Sequence, residues 1–225
     1  MIYLTGAGCG TWELLTLRAM RMIQKADCIL YDRLLDPEIL TFAPKHCDCI
    51  YVGKKAGKHA MAQEEIQRLM IEKAARFDTV VRLKGGDPCV FGRVGEEAQA
   101  LAQAHVPFEI IPGISSGIGG LAFAGIPITH RDYASGARLM SAHGKAGTMS
   151  DLDYAGMAHT RDTLIFYMGL QQLSAIVSGL MQAGRNPNTP IALVSNAGRA
   201  TQTMVTATLK DIEDRDLSAI VSPAL

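Results

Sequence analysis

Short apolar runs and helical stripes alternate along the first half of the chain. Ile2-Tyr-Leu, Cys28–Tyr31, Cys49–Val52, Thr79–Leu83 and Phe108–Ile111 are rich in β-branched, aromatic or aliphatic residues and bounded by glycine, proline or charge, a pattern that predicts five strands. Between the first two, Leu15, Ala19, Met22 and Ile23 recur at helical spacing; between the third and fourth, Ile66, Leu69, Met70 and Ala74 do the same. Alternation of this kind predicts an α/β chain with a mainly parallel sheet joined by right-handed crossovers.

The texture changes near Pro112-Gly113. Ser115–Ala124 reads SSGIGGLAFA, whose glycines weigh against a regular helix but let backbone approach another surface closely. Strands are expected at Arg138–Met140, Thr163–Met168 and Pro190–Val194, a half-exposed one at Thr203–Leu209, and a helix between Leu170 and Ala183. The expected organisation is therefore two α/β domains, residues 1–112 with a mainly parallel sheet and residues 113–225 with a mixed one. A last helix-like segment, Leu217–Val221, is followed by Ser222-Pro-Ala-Leu225, an apolar ending read as the approach to another strand and hence as a truncation of the second domain.

Composition narrows the classes of function. With 48% hydrophobic and 20% charged residues, the 225-residue chain has apolar surface enough for two cores and is not a disordered segment. Twenty-two basic residues balance twenty-two acidic ones, so no overall field draws the protein to nucleic acid or to an anionic membrane, and any anion site must be local. The amino terminus shows no basic-then-apolar leader, and no apolar run approaches the ~20 residues of a spanning helix. A cytoplasmic protein is expected. Cys9, Cys28, Cys47, Cys49 and Cys89 are odd in number and match no disulfide framework, and Cys47-Asp-Cys49 is too tightly spaced for a zinc knuckle, so reduced thiols and no metal site are expected.

Two glycine loops carry the candidate chemistry. Gly6-Ala-Gly-Cys-Gly10 follows the first strand, and Asp32 ends the second, which is the placement of a dinucleotide site; the third glycine of that fingerprint would fall at position 11, where Thr11 stands. Neither loop continues into the Lys-Ser or Lys-Thr of a P-loop. Arg82-Leu-Lys-Gly-Gly-Asp-Pro-Cys-Val-Phe-Gly-Arg93 places bare backbone and one carboxylate between cationic side chains, although a tight strand-to-helix turn would use the same residues.

Taken together, Gly6–Gly10, Tyr31-Asp-Arg33, Val52-Gly-Lys-Lys-Ala-Gly57, Arg82–Pro88, Phe91-Gly-Arg-Val-Gly-Glu-Glu97, Pro112-Gly-Ile-Ser-Ser116, Gly125-Ile-Pro-Ile-Thr-His-Arg131 and Tyr167-Met-Gly169 resemble, in order and spacing, the uroporphyrinogen-III C-methyltransferases of the tetrapyrrole methylase superfamily. The resemblance covers essentially the whole chain. It implies two α/β domains with S-adenosylmethionine in the cleft between them, a homodimer, and methylation of two carbons of uroporphyrinogen III. The product would be precorrin-2, by way of precorrin-1, for sirohaem or cobalamin synthesis, with S-adenosylhomocysteine released. By the same resemblance Cys9, Gly85, Gly86, Asp87, Val90, Ser115, Ser116, Met168 and Ala197 contact the cofactor, and Arg93, Glu96, Arg131 and Met168 the tetrapyrrole. Asp32 is implied as proton acceptor and Lys54 as proton donor.

The residue types suit that chemistry. S-adenosylmethionine has no phosphate; its ammonium and ribose hydroxyls need acceptors, which Asp87 and the carbonyls of Gly85 and Gly86 can provide. Guanidinium groups such as Arg93 and Arg131 bind the acetates and propionates of a tetrapyrrole bidentately. A carboxylate is a weak base at neutral pH, so Asp32 needs help from its neighbours or acts electrostatically. The chain departs from the family pattern at Cys9 (usually proline), Cys89 (phenylalanine), Ala197 (glycine) and Ala60 (a Ser or Thr that could cap the helix at Gln63). A methylase of a later corrinoid intermediate, a nicotinamide-dependent dehydrogenase and a non-catalytic tetrapyrrole sensor are the alternatives.

Overall fold

The structure, a computed structural model, describes residues 1–53, 61–144 and 151–225. The chain divides into two compact units, Met1–Ser115 and Ser116–Leu225. Pro112–Ser115 fold with the first unit rather than the second, because Gly113 donates its amide to the Asp87 carboxylate (3.0 Å) and packs against Gly6.

The first unit is built on strands β1 (Ile2–Gly6), β2 (Cys28–Tyr31), β3 (Asp48–Tyr51), β4 (Val80–Lys84) and β5 (Phe108–Ile111), in the order β3-β2-β4-β1-β5. Every pairing is parallel. Helices α1 (Leu17–Ile23), α2 (Gln63–Ala74) and α3 (Val94–Gln103) make the crossovers. Side chains alternate between the faces of a strand, so Ile2, Leu4, Cys28, Leu30 and Val80 pack with Ile66 and Met70 of α2 and Val94 and Leu101 of α3. Ile29, Val81 and Leu83 enter the opposite core with Ile23 of α1 and Ile39. Both faces being covered, the strands carry continuous apolar runs, as parallel sheets do. α1 starts two residues later than its apolar stripe suggests, since Leu15 closes a short 3-10 turn at Trp12–Leu14 and Thr16 caps the helix by accepting from Ala19 N. At α2 the first turn is held by the Glu65 carboxylate on the Ala62 amide (3.0 Å); Ala60 lies outside the described residues.

The second unit contains a parallel pair, β6 (Ala137–Ser141) with β7 (Thr163–Tyr167), and an antiparallel pair, β8 (Pro190–Ser195) with β9 (Thr203–Thr208). Ile165 and Val194 face one core with Leu121, while Leu193 faces another with Met157 of α5 (Tyr154–Ala158) and Ile176, Val177 and Leu180 of α6 (Leu173–Gln182). The glycine-rich segment is helical after all: a π-helical turn at Ser116–Gly120 runs into α4 (Leu121–Phe123). Leu217–Val221 is not helical. Asp216 caps a single turn there by accepting from Ser218 N, and Ser195 Oγ then binds both the amide and the carbonyl of Val221. That tie draws Pro223–Leu225 out along β8, where Ser195 and Ala224 form an antiparallel bridge. Among the described residues no helix is long and apolar enough to cross a membrane.

Candidate functional site

In the first unit the candidate residues collect at the carboxyl ends of the strands, the edge at which open parallel sheets bind ligands. Three chain segments meet there at backbone distance. Gly86 donates its amide to the Gly8 carbonyl (2.7 Å) and receives the Gly8 amide on its own (3.2 Å), so the two glycine loops are clasped together. Both residues have positive φ, +72° at Gly8 and +71° at Gly86. A Cβ on Gly6 would stand 2.6 Å from Gly113 Cα and 2.7 Å from the Gly86 carbonyl, and one on Gly113 would overlap that same carbonyl. Glycine is therefore needed because strand ends of β1, β4 and β5 touch, and Cys9, buried beside this clasp, follows directly on Gly8.

Asp87 fixes the second loop. Its Oδ1 accepts from Cys89 N (2.7 Å) and its Oδ2 from Gly113 N (3.0 Å), so the carboxylate read as a ligand acceptor also ties β4 to the segment leading to Ser115. Each oxygen keeps a further lone pair for a ligand. The Gly85 carbonyl receives no donor among the described residues. Further along, Val90 donates its amide to the Asp87 carbonyl, and Phe91 and Arg93 both hold positive φ, 53° and 58°. Left-handed non-glycine residues so close together mark a segment held in place by its surroundings.

Arg93 and Glu96 are brought together, as each other's partners. The guanidinium donates from Nε to Oε1 (2.8 Å) and from Nη2 to Oε2 (2.6 Å), a closed fork on the first turn of α3. These hydrogen bonds to Glu96 hold the Arg93 pKa above its usual value. Both side chains are about half exposed.

The other cations of the loop turn inward. Arg82 and Lys84 share a face of β4 with Val80 and are buried against α2 and α3. Glu97, with no exposure, meets them: its Oε1 accepts from Lys84 Nζ (2.8 Å), Arg82 Nε (3.2 Å) and Gln63 Nε2 (3.2 Å). Burial and the adjacent Arg82 push the Lys84 pKa down, against the pull of Glu97. Arg82 also donates from Nη1 to the carbonyls of Leu30 and Leu83 and from Nη2 to Asp32 Oδ2 (3.5 Å), while Asp32 Oδ1 accepts from Leu34 N. Asp32 thus stands beside the buried network. Lys54 lies outside the described residues. Sequence reading missed Glu97. The signal was present: a strand buried on both faces that carries cations at alternate positions needs a buried counter-charge, and the acidic pair Glu96-Glu97 heads the next helix.

In the second unit Ser116, Met168 and Ala197 gather at the carboxyl ends of β7 and β8. Tyr167, the last residue of β7, accepts the Gly117 amide on its hydroxyl (2.8 Å), and a Cβ on Gly120 would stand 2.7 Å from Ala197 Cβ. The two glycines that weigh against a helix are thus what lets the turn at Ser116 lie on β7 and β8. Met168 follows Tyr167 at φ 57° and is 49% exposed. Arg131 is exposed on a turn closed by the His130–Ala134 bridge and makes no hydrogen bond among the described residues.

The dinucleotide alternative fails on geometry. A pyrophosphate site needs a helix to open within the glycine loop. Here a 3-10 turn intervenes, α1 begins only at Leu17, and its amino terminus is capped by Thr16. β1 is also flanked by β4 and β5, whereas the dinucleotide fold sets β1 beside β2.

Comparison with known proteins agrees with this outcome. The family model for tetrapyrrole (corrin/porphyrin) methylases matches residues 1–213. The chain is 45% identical to the uroporphyrinogen-III C-methyltransferase of Bacillus subtilis (strain 168), over all of this chain and 47% of that protein. It is 44% identical to a siroheme synthase of Psychrobacter sp. (strain PRwf-1), over all of this chain and 46% of that one. The chain thus spans about half the length of the curated relatives it matches. Among solved structures, the uroporphyrin-III C-methyl transferase of Thermus thermophilus complexed with S-adenyl homocysteine superposes with a TM-score of 0.84 at 39% identity, covering 99% of this chain and 94% of that one. A cobalt precorrin-4 methyltransferase superposes with a TM-score of 0.85 at 25% identity, covering 99% and 92%.

Proposed function

Because this chain belongs to the tetrapyrrole (corrin/porphyrin) methylases, we propose that it methylates two pyrrole carbons of uroporphyrinogen III from S-adenosylmethionine, giving precorrin-2 by way of precorrin-1 for sirohaem or cobalamin synthesis. The observation that carries this reading is the likeness, over 99% of the chain, to a uroporphyrin-III methyl transferase complexed with S-adenyl homocysteine. The higher identity to that enzyme, 39% against 25% for the cobalt precorrin-4 methyltransferase, favours the first methylations over a later corrinoid step.

S-adenosylmethionine supplies a sulfonium methyl group: the new carbon–carbon bond forms as the C–S bond breaks, sulfur keeps the electron pair as S-adenosylhomocysteine, and the pyrrole gives up its N–H proton. The residues present fit such a donor. The clasped loops offer the Gly85 carbonyl and the Asp87 carboxylate, acceptors for an ammonium and hydroxyls, and no helix terminus aimed at a phosphate; the Gly86 carbonyl, expected to join them, is instead taken up in the clasp by the Gly8 amide and packed against Gly113. Cys9, Val90 and Ser115 of the first unit and Ser116, Met168 and Ala197 of the second are proposed as the remaining cofactor contacts.

Arg131 and Arg93 take substrate carboxylates. Glu96 pre-orients the Arg93 fork and is displaced from it, or shares it, when a propionate arrives, and Met168 lies against the macrocycle. Losing one such desolvated clamp would weaken substrate binding by about 2–5 kcal/mol. Asp32 accepts the pyrrole proton, and Lys54 returns one as the double bonds of the product rearrange. Much of the acceleration comes from in-line placement of carbon and methyl with water excluded. The protein works in the cytoplasm as a homodimer, a second copy covering apolar residues such as Ile118 and Phe123, which are 52% and 55% exposed.

Incubation with uroporphyrinogen III and methyl-labelled S-adenosylmethionine tests the reading. Label is expected in a tetrapyrrole that absorbs as precorrin-2 or its oxidised form. Folded protein that incorporates none contradicts it.

A further inference from the structure

Glu97 occupies a place in α3 where an apolar residue would be expected. Val94 and Leu101, on the same helical stripe, are core residues, and Glu97 between them is wholly buried. Its hydrogen bonding is lopsided. Oε1 takes all three donors, from Gln63, Arg82 and Lys84, while Oε2 is buried with no partner among the described residues. An orphaned buried oxygen of this kind costs stability, a cost set against the counter-charge that the carboxylate gives Arg82 and Lys84.

What the carboxylate does is fix the direction of Arg82. Glu97 engages Nε of the planar guanidinium; the Leu30 and Leu83 carbonyls take Nη1; the remaining Nη2 then points at Asp32 Oδ2. Leu30 and Asp32 belong to the end of β2, Glu97 to α3, Gln63 to the start of α2 and Arg82 to β4, so one carboxylate ties together four segments around Asp32. A planar cation held at two of its nitrogens is a directional donor at the third.

We propose that Glu97 is a positioning residue for methyl transfer, orienting Arg82 so that Nη2 of its guanidinium sets the Asp32 carboxylate. The inference rests on the reading of Asp32 as proton acceptor. A purely structural Glu97 would lower the amount of folded protein and leave turnover per folded molecule unchanged.

The test is steady-state methylation of uroporphyrinogen III by the full chain carrying Glu97→Gln, Asp32→Asn or both, with S-adenosylhomocysteine affinity measured alongside. Glu97→Gln is expected to lower kcat about tenfold, a part of the ~10²–10⁴ that a positioned base contributes, with KM and cofactor affinity little changed. In the Asp32→Asn background the same substitution should have no further effect on kcat, because its influence passes through Asp32. Unchanged kcat in Glu97→Gln, or equal losses in both backgrounds, overturns the proposal. Full activity in Asp32→Asn alone would instead remove the role of Asp32 on which the proposal stands. If Glu97→Gln does not fold, Arg82→Lys serves: it keeps a cation beside Glu97 but lacks the separate Nη2 donor, and the same loss, absent in Asp32→Asn, is expected, with unchanged kcat again overturning the proposal.

Discussion

The two ends of the first sheet are built from similar side chains and use them differently. At the amino end, each carboxylate oxygen in use has a single partner and most groups reach water: Lys73 with Asp48 (2.9 Å), His46 with Asp27 (3.8 Å), the Thr79 amide with the other oxygen of Asp27. At the carboxyl end, two cations and a carboxylate are buried together, a carboxylate oxygen is left over, and three chain segments approach so closely that side chains are excluded. The amino end has only to reverse the chain. The carboxyl end accepts orphaned charge, crowding and left-handed backbone, all of which cost stability, and such local departures from good folding practice collect where function lies.

Substitutions can break or sharpen this contrast. The largest effect is expected from Glu97→Ala, which leaves Arg82 and Lys84 buried without their counter-charge and should lower unfolding free energy by about 3–5 kcal/mol; urea titration measures it. Gly113→Ala forces a methyl group onto the Gly86 carbonyl and the Gly6 backbone. About 1–3 kcal/mol should be lost, and binding of S-adenosylhomocysteine with it, because the clasp must open.

At the amino end the effects are smaller. Burial and the neighbouring Asp48 raise the Cys28 thiol from 9.0 to about 11, and burial with Cys49 beside it raises Cys47 to about 12. The folded state therefore holds these protons more tightly than the unfolded chain. Their contribution is complete below pH 9 and is lost as pH rises through about 11 for Cys28 and about 12 for Cys47. Melting temperatures should fall over that window and fall less steeply in Cys28→Ala. Smallest of all, Lys73→Ala removes a partly exposed ion pair and should change stability by less than about 1 kcal/mol, with methylation unaffected. A Lys73→Ala loss as large as that of Glu97→Ala would erase the distinction between the two ends.

The contrast also explains what the amino-acid sequence discloses. The strands of the first unit, the α2 stripe and the loop at Asp87 are local patterns, and they are where the residues place them. Arg82 and Lys84 read as flanking charge because nothing local says that β4 lies in the middle of the sheet; once β2 and β1 flank it, both side chains must enter the core under α3. The contact of Gly8 with Gly86 likewise depends on pairing of distant segments. Ser116–Gly120 became helical against glycine's local preference because β7 and β8 needed a surface that close. Leu217–Val221 failed as a helix because Ser195 claims Val221 for the edge of β8. The proposed cofactor and substrate residues were legible only as a set of motifs, and the network behind Asp32 only from the packing.

The central claim is that the carboxyl end of the first sheet presents a backbone carbonyl and a carboxylate to an adenosyl sulfonium rather than a helix terminus to a diphosphate. Calorimetric titration of the wild-type chain with S-adenosylhomocysteine and, separately, with NAD puts it directly to the test. Saturable heat with the first and none with the second is the predicted result; saturable binding of NAD with silence toward S-adenosylhomocysteine would contradict it.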